Sequence, residues 1–419
     1  MDKIAHPSYR PRLVDRTLDE LLTQLPGLMF IGARTIGKTT TCARRAATVI
    51  RLERKVEASA FEGDPDAALR TLPEPVLLDE WQTVPGVLGA VRRAVDDEPR
   101  PARFLLTGSA RATLDRDTWP ATGRLVRVPM YPMSMRELTR KVDGPTFFDR
   151  LAAGEELRVA SDPPDLRGYV ELALRSGFPE PALALSGEPR RAWLESFVEN
   201  LLTHDVEQLE TSNTRRRDPR LLRRYFEAYA LNSAGIADHR TIYEAAGINK
   251  VTASAYEGLL EGLLVAEQIP AWASNRLKRL ARKPKRYLVD PALAAAALRI
   301  DEAGVMRDGA MLGRIIDTFV VAQLRPELFP SKTRPRLHHL RTAEGRHEID
   351  ILAELAGQRL IAIEVKTGGA VTRADARHLA WLRDEVGDRF LAGLVLHTGP
   401  RLFELDDRIV AAPICALWG

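Results

Sequence analysis

Through the first third of the chain, short apolar runs alternate with stretches whose apolar residues recur at helical spacing. The runs Leu28–Ile31, Val76–Leu78, Phe104–Leu106 and Leu125–Val128 are too short for helices and predict the buried strands of an α/β domain. Polar sequence holding Gly144, Pro145 and Gly154, then Asp162-Pro163-Pro164, breaks this pattern and predicts a linker. Beyond it, Trp193, Leu194, Phe197, Val198, Leu201 and Leu202 follow helical spacing and mark one apolar helix face. Residues 241–256 read as helix, a turn at Gly247, and helix. Leu259, Leu260, Leu263, Leu264 and Val265 carry the second helix toward a strand, and Tyr287-Leu288-Val289 returns as another. The last part is mixed α/β again. It has a helix around Leu312–Leu324, strands at Glu348–Leu355 and Leu360–Val365, a helix at Arg373–Val386 and a strand at Leu391–His397. No repeat of roughly 20–50 residues is present.

Composition narrows the picture only slightly. The 419 residues suffice for several domains, and 45% hydrophobic with 28% charged residues is ordinary for a chain with a packed core. A net charge of +4 permits contact with nucleic acid but argues for it only where the charge is clustered. Cys42 and Cys415 are the sole cysteines, so no disulfide framework forms and a reducing cytoplasm is the expected location. The longest apolar stretches, Ala292–Leu298 and Leu391–Leu396, fall far short of the roughly 20 residues of a membrane helix. No membrane association is expected.

The candidate chemistry begins directly after the first apolar run. Gly32-Ala33-Arg34-Thr35-Ile36-Gly37-Lys38-Thr39 is a G-x-x-x-x-G-K-[ST] loop between a strand and a helix, the context that gives this motif meaning. Glycines 32 and 37 let backbone amides curl round phosphate oxygens. Lys38 would reach the outer phosphates, Thr39 would ligate Mg²⁺, and Ala33, Arg34, Thr35, Ile36 and Thr40 complete the nucleotide contacts. Val76-Leu77-Leu78-Asp79-Glu80 supplies a strand ending in acid, with Asp79 to hold magnesium and Glu80 as general base. Thr107 or Ser109, at the tip of a third strand, could sense the outer phosphate or simply cap the next helix. Arg124 is the leading charge-stabilising arginine, with Arg111 and Arg116 as rivals.

Residues 1–140 resemble a family of bacterial and archaeal ATPases of the AAA superfamily. The resemblance rests on Arg12, the GKTT loop, the LLDE strand, Leu106-Thr107-Gly108-Ser109, Gly123-Arg124 and the segment Pro132-Met133-Ser134-Met135-Arg136-Glu137. It extends through Gly177-Phe178-Pro179-Glu180 to the end of the chain. It implies ATP and Mg²⁺ as cofactors and ATP hydrolysis as the activity. Homo-oligomeric assembly stays open.

Two further zones carry candidate chemistry. The helix–turn–helix followed by a hairpin reads as a winged helix. Its basic wing of Arg276, Lys278, Arg279, Arg282, Lys283, Lys285 and Arg286 would clamp DNA phosphates, or it is a plain solvated hairpin. In the last zone Glu364 and Lys366 lie two apart on a strand and share a face, and an antiparallel neighbour could bring Asp350 beside them. With Asp317 upstream, the set resembles the PD-(D/E)XK nuclease fold of restriction enzymes and Holliday-junction resolvases. That implies Asp317, Asp350 and Glu364 as metal ligands and Asp350, Glu364 and Lys366 as catalytic residues. Asp317 is one methylene shorter than the usual glutamate, and the same acids could simply pair with Lys366.

The sequence thus predicts four parts: an α/β P-loop ATPase core (1–140), a helical lid (141–215), a winged-helix-like domain (216–300) and a nuclease-like α/β domain (301–419). The leading function is ATP hydrolysis that drives DNA engagement or cleavage. The alternative is a nucleotide-dependent switch on a protein partner with an inactive nuclease-like domain.

Overall fold

The computed structural model describes residues 9–108, 123–205, 218–273, 283–342 and 345–419. Its first sheet is built from β1 (Gly27–Ile31), β2 (Thr48–Arg51), β3 (Val76–Asp79), β4 (Phe104–Gly108) and β5 (Val126–Pro129), in the order β2-β3-β4-β1-β5. All neighbouring pairs are parallel. Parallel strands are covered on both faces, which is why these runs are continuously apolar rather than alternating. Leu28, Phe30, Leu77 and Leu105 enter one core, while Met29, Val76, Leu78, Phe104 and Leu106 enter the other. The second core is closed by the helices Lys55–Gly63, Pro65–Arg70 and Gly86–Asp97. The first is continuous with the apolar interior of the rest of the chain, including Tyr225, Tyr256 and Phe319. One face of this sheet is therefore the seat on which the later domains rest.

In the middle of the chain, the helices Leu166–Arg175, Gly187–Asn200 and Pro219–Leu231 pack on Pro291–Leu298, and the helix pair His239–Ala246 and Lys250–Gly262 packs against Pro219–Leu231. Gly247 turns between that pair in the left-handed region (φ 67°), and the Asn249 side chain caps the second helix by accepting from the Thr252 amide. Strands β6 (Ala266–Ile269) and β7 (Lys285–Leu288) then pair antiparallel. The order helix, turn, helix, strand, strand matches the sequence reading, but the basic wing differs. Lys285 and Arg286 are buried, and Arg286 Nε donates to Glu257 Oε1 at 2.6 Å. Lys283 Nζ pairs with Asp238 at 2.6 Å. All three cations pair with carboxylates of the chain itself, and Lys285 and Arg286 are buried rather than presented on an open wing. Arg276, Lys278, Arg279 and Arg282 lie outside the described residues.

The last part has the helix Gly309–Leu328 and a sheet of β8 (Arg336–Arg341), β9 (Glu348–Glu354), β10 (Leu360–Val365), β11 (Phe390–His397), β12 (Phe403–Asp406) and β13 (Ile409–Pro413). The order is β12-β13-β11-β10-β9-β8. Strands β10, β11 and β13 run parallel, and β9 pairs antiparallel with β10. The helix Arg377–Val386 covers one face through Leu379 and Leu382. Cys42 and Cys415 are both free and buried. Among the described residues, no helix is long and apolar enough to cross a membrane.

Candidate nucleotide site and the C-terminal carboxylates

Because the first sheet is all parallel, its strands end at one edge, where the chemistry collects. Strand β4 lies between β1 and β3, so Thr107 sits in register with Asp79, and the phosphate loop follows β1 next door. The loop is shaped by contacts only glycine allows. A Cβ on Gly32 would lie 2.4 Å from the Met130 carbonyl oxygen, and Gly37 holds φ 94°. Ile36 is fully buried in the core, whereas Thr35 is exposed at φ 58°. Ala33 is buried as well, Arg34 is half-buried and Thr40 is exposed.

Lys38 is buried, and its Nζ donates to the carbonyls of Gly32 at 3.0 Å and Ala33 at 2.7 Å. The loop thus closes on its own lysine. Burial pulls the Lys38 ammonium down from 10.5 to about 8, against the opposing pull of Glu80 and Asp79. A triphosphate would favour the charged lysine, so above about pH 8 binding must be accompanied by proton uptake. ATP affinity is accordingly expected to fall as pH rises past that point, by up to about tenfold per unit. Titrations from about pH 7 to about pH 9.5 check this, and a flat affinity would place the ammonium outside the phosphate contacts.

Asp79 Oδ1 accepts from the Thr39 hydroxyl at 2.7 Å and also from the Thr107 hydroxyl. A hydroxyl and a carboxylate are hard oxygen donors of the kind that suit magnesium, so this set fits the ion that the loop motif implies. Glu80 leaves the end of β3 in the left-handed region at φ 52°, and its Oε2 accepts from the Gln82 side-chain amide. Gly108 makes room for that glutamine: a Cβ there would lie 2.6 Å from Gln82 Oε1. Gln82 was not singled out in the sequence, although it lies two residues past the acidic pair on a short turn.

Arg12 ties the loop to its surroundings. Its guanidinium donates to the Ile36 carbonyl at 2.8 Å, the Tyr131 carbonyl at 2.7 Å and Glu137 Oε1 at 2.9 Å. Ser134 and Glu137 form a capping box on the short helix Met135–Leu138, which accounts for the Pro-x-Ser-x-x-Glu pattern. Arg124 is a correction. It precedes β5, which runs parallel to β1, so it lies at the sheet edge opposite the phosphate loop and pairs with Asp96 at 2.7 Å. It cannot stabilise charge in this chain's own phosphate site. Ser109, Arg111 and Arg116 lie outside the described residues.

The C-terminal acids do come together, but around a residue the sequence placed elsewhere. Lys285 Nζ donates to Asp317 Oδ2 at 2.6 Å and to Asp350 Oδ1 at 3.0 Å. Tyr287 donates its hydroxyl to Asp317 Oδ1 at 3.0 Å, and the Val365 amide donates to Asp350 Oδ2 at 3.0 Å. Lys366 Nζ donates to Glu364 Oε1 at 2.8 Å, while Glu364 Oε2 is buried without a hydrogen-bond partner. Burial raises the Asp317 carboxyl to about 6 and the Glu364 carboxyl to about 7, the latter aided by Asp350. Burial would raise Asp350 too, but Lys285 and the Val365 amide hold it below the ordinary range. Among the described residues, no group of three or more His, Cys, Asp or Glu side chains is arranged to hold a metal ion. The expected ligand set of Asp317, Asp350 and Glu364 is therefore corrected: Asp317 and Asp350 share Lys285, and Glu364 pairs with Lys366.

Family models match three successive regions of the chain. Residues 166–304 match a family described as a domain of unknown function (DUF8612), and residues 312–417 match another (DUF4143). The uncharacterized protein Rv2008c of Mycobacterium tuberculosis is 27% identical over 402 residues, covering 94% of this chain and 82% of its own. Among solved structures, the Walker-type ATPase PABY2304 of Pyrococcus abyssi covers 72% of this chain and 99% of its own at 17% identity and TM-score 0.42. A RuvB variant of Thermotoga maritima covers 69% and 94% at 18% identity and TM-score 0.29. Residues 26–139 match a family described as an AAA domain, and that match, falling on the strand–loop–helix geometry above, supports an AAA-type P-loop domain that binds nucleotide in this part of the chain.

Proposed function

We propose that this chain is a Mg²⁺-dependent ATPase that works as a nucleotide-dependent switch, with the later domains as the scaffold it sets. One observation carries the reading: Lys38, Thr39, Asp79 and Glu80 gather at a single sheet edge beside the phosphate loop. Thr39 and Asp79 would hold magnesium, which neutralises charge on the phosphates when bound. Lys38 would exchange the loop carbonyls for phosphate oxygens. Glu80, steadied by Gln82, would orient and deprotonate the attacking water.

Coupling to the scaffold is supported by a contiguous set of contacts. Arg12 links the loop carbonyl of Ile36 to Glu137. On the same short helix, the Met135 amide donates to Gln323 at 2.7 Å, and Arg136 pairs with Glu327 at 2.9 Å, both on the helix Gly309–Leu328. A change in the loop on nucleotide binding thus has a physical route into the C-terminal domain. The lysine pairing of the C-terminal acids and the committed cations of the hairpin favour the switch over DNA cleavage. Calorimetric titration of the purified protein with Mg-ATP is expected to show saturable binding. No heat and no protection from thermal unfolding would remove the reading altogether.

A further inference from the structure

The helices Leu166–Arg175, Gly187–Asn200, Pro291–Leu298 and Glu302–Arg307 line a cleft of about 720 Å³ in the middle of the chain. Its size falls within the roughly 300–1,000 Å³ of small-molecule sites. Leu194, Ala292 and Ala295 are buried and give it an apolar wall. Its charges are unevenly matched. Glu171 and Glu302 share Arg167, and Asp301 accepts from the Gly304 amide at 2.8 Å, which leaves Glu195 among the lining acids. Arg175, Arg190, Arg299 and Arg307 also line the cleft, and none of the four pairs with a carboxylate among the described residues.

We propose that this cleft binds a small organic phosphate, with Arg175 and Arg190 holding the phosphate and the apolar wall holding the organic body. Both side chains are half-buried. Arg175 donates through Nε and Nη2 to the Ala182 carbonyl at 3.0 and 2.7 Å. Arg190 donates to the Pro181 carbonyl at 2.9 Å and to the Leu185 carbonyl. These neutral acceptors hold the two guanidiniums in place without cancelling their charge. Burial and the charge of Arg175 both pull the Arg190 guanidinium below its ordinary value, so the two cations stand close enough to repel. An anion bound beside both relieves that repulsion. A carboxylate offers two oxygens, enough for one guanidinium fork. A phosphate monoester offers three oxygens and close to two negative charges, which suits a pair of forks. None of these residues belongs to the phosphate loop, so a failed nucleotide assignment would leave the cleft standing.

The test uses the full chain, with phenyl phosphate as the probe and calorimetry as the readout. Wild type is expected to bind it with a Kd below about 1 mM, and at least about tenfold more tightly than inorganic phosphate, because the ring meets the apolar wall. Arg190→Gln removes one of the two charges, and Ala296→Trp fills the cleft while keeping both arginines. Each is expected to weaken binding by about tenfold or more. Lys38→Ala, confined to the phosphate loop, is expected to leave this binding in place. Wild type that takes up no phenyl phosphate overturns the proposal. So does binding that survives both cleft variants, or binding that Lys38→Ala removes. Equal affinity for inorganic phosphate overturns the assignment of an organic ligand. Thermal melts run beside the titrations show which variants are folded, and Ala296→Trp decides the matter if Arg190→Gln is not.

Discussion

Replacing Lys38 with alanine is expected to weaken ATP binding by about 100-fold or more while leaving the fold in place. A charge-assisted hydrogen bond is worth roughly 1.5–3 kcal/mol, and an ammonium among phosphates makes more than one, so a loss of about 3 kcal/mol or more follows. The effect on the fold is smaller because two terms oppose. The variant loses the bonds to the Gly32 and Ala33 carbonyls, but it no longer buries an ammonium that burial already destabilises. Calorimetry with ATP, run beside a thermal melt, separates the two. Full affinity in the variant would show that the phosphates lie elsewhere. Lost affinity with an early melt would instead mean that the lysine mainly holds the loop closed.

The parts of this molecule that were readable in the sequence are those whose partners are close along the chain. The phosphate loop is one continuous strand, turn and helix start, so its glycines and Lys38 announce themselves. Asp79 and Glu80 were readable because a fully buried apolar strand ends in them. Strands β2, β8, β12 and β13 were not: β2 is half-buried along its whole length, and β8 reads Arg-Leu-His-His-Leu-Arg, so neither shows an apolar run. Arg124 misled because its position depends on strand direction. Only the parallel pairing of β5 with β1 reveals that the residue before β5 sits at the far edge.

Lys285 shows a different limit. In sequence it is one of seven clustered cations, which suggests a solvated basic surface. In a strand, neighbours face opposite ways, so Lys285 and Tyr287 share a face while Arg286 takes the other. Strand β7 is buried on both sides, and each face finds its acid: Asp317 and Asp350 on one, Glu257 on the other. Alternation was legible. Burial on both faces was not, because it depends on a helix about thirty residues away and a strand farther still.

Replacing Glu80 with glutamine is expected to leave ATP binding within a few-fold of wild type and to slow hydrolysis by about 10²-fold or more, the usual contribution of a positioned general base. Two acids stand at the end of β3, and their surroundings divide the labour. Asp79 already accepts hydroxyl hydrogens from Thr39 and Thr107, which suits a group that holds a metal and its ligands. Glu80 points from a left-handed turn and is steadied by the Gln82 amide. Glutamine keeps its size and still offers an oxygen to Gln82, so geometry and binding should survive; what disappears is the capacity to take a proton. Single-turnover hydrolysis measured with ATP already bound isolates that step. A rate close to wild type would exclude Glu80 as the base and turn attention to Asp79 or to a residue beyond the described part of the site. A lost rate together with lost binding would instead mark Glu80 as a structural support of the loop.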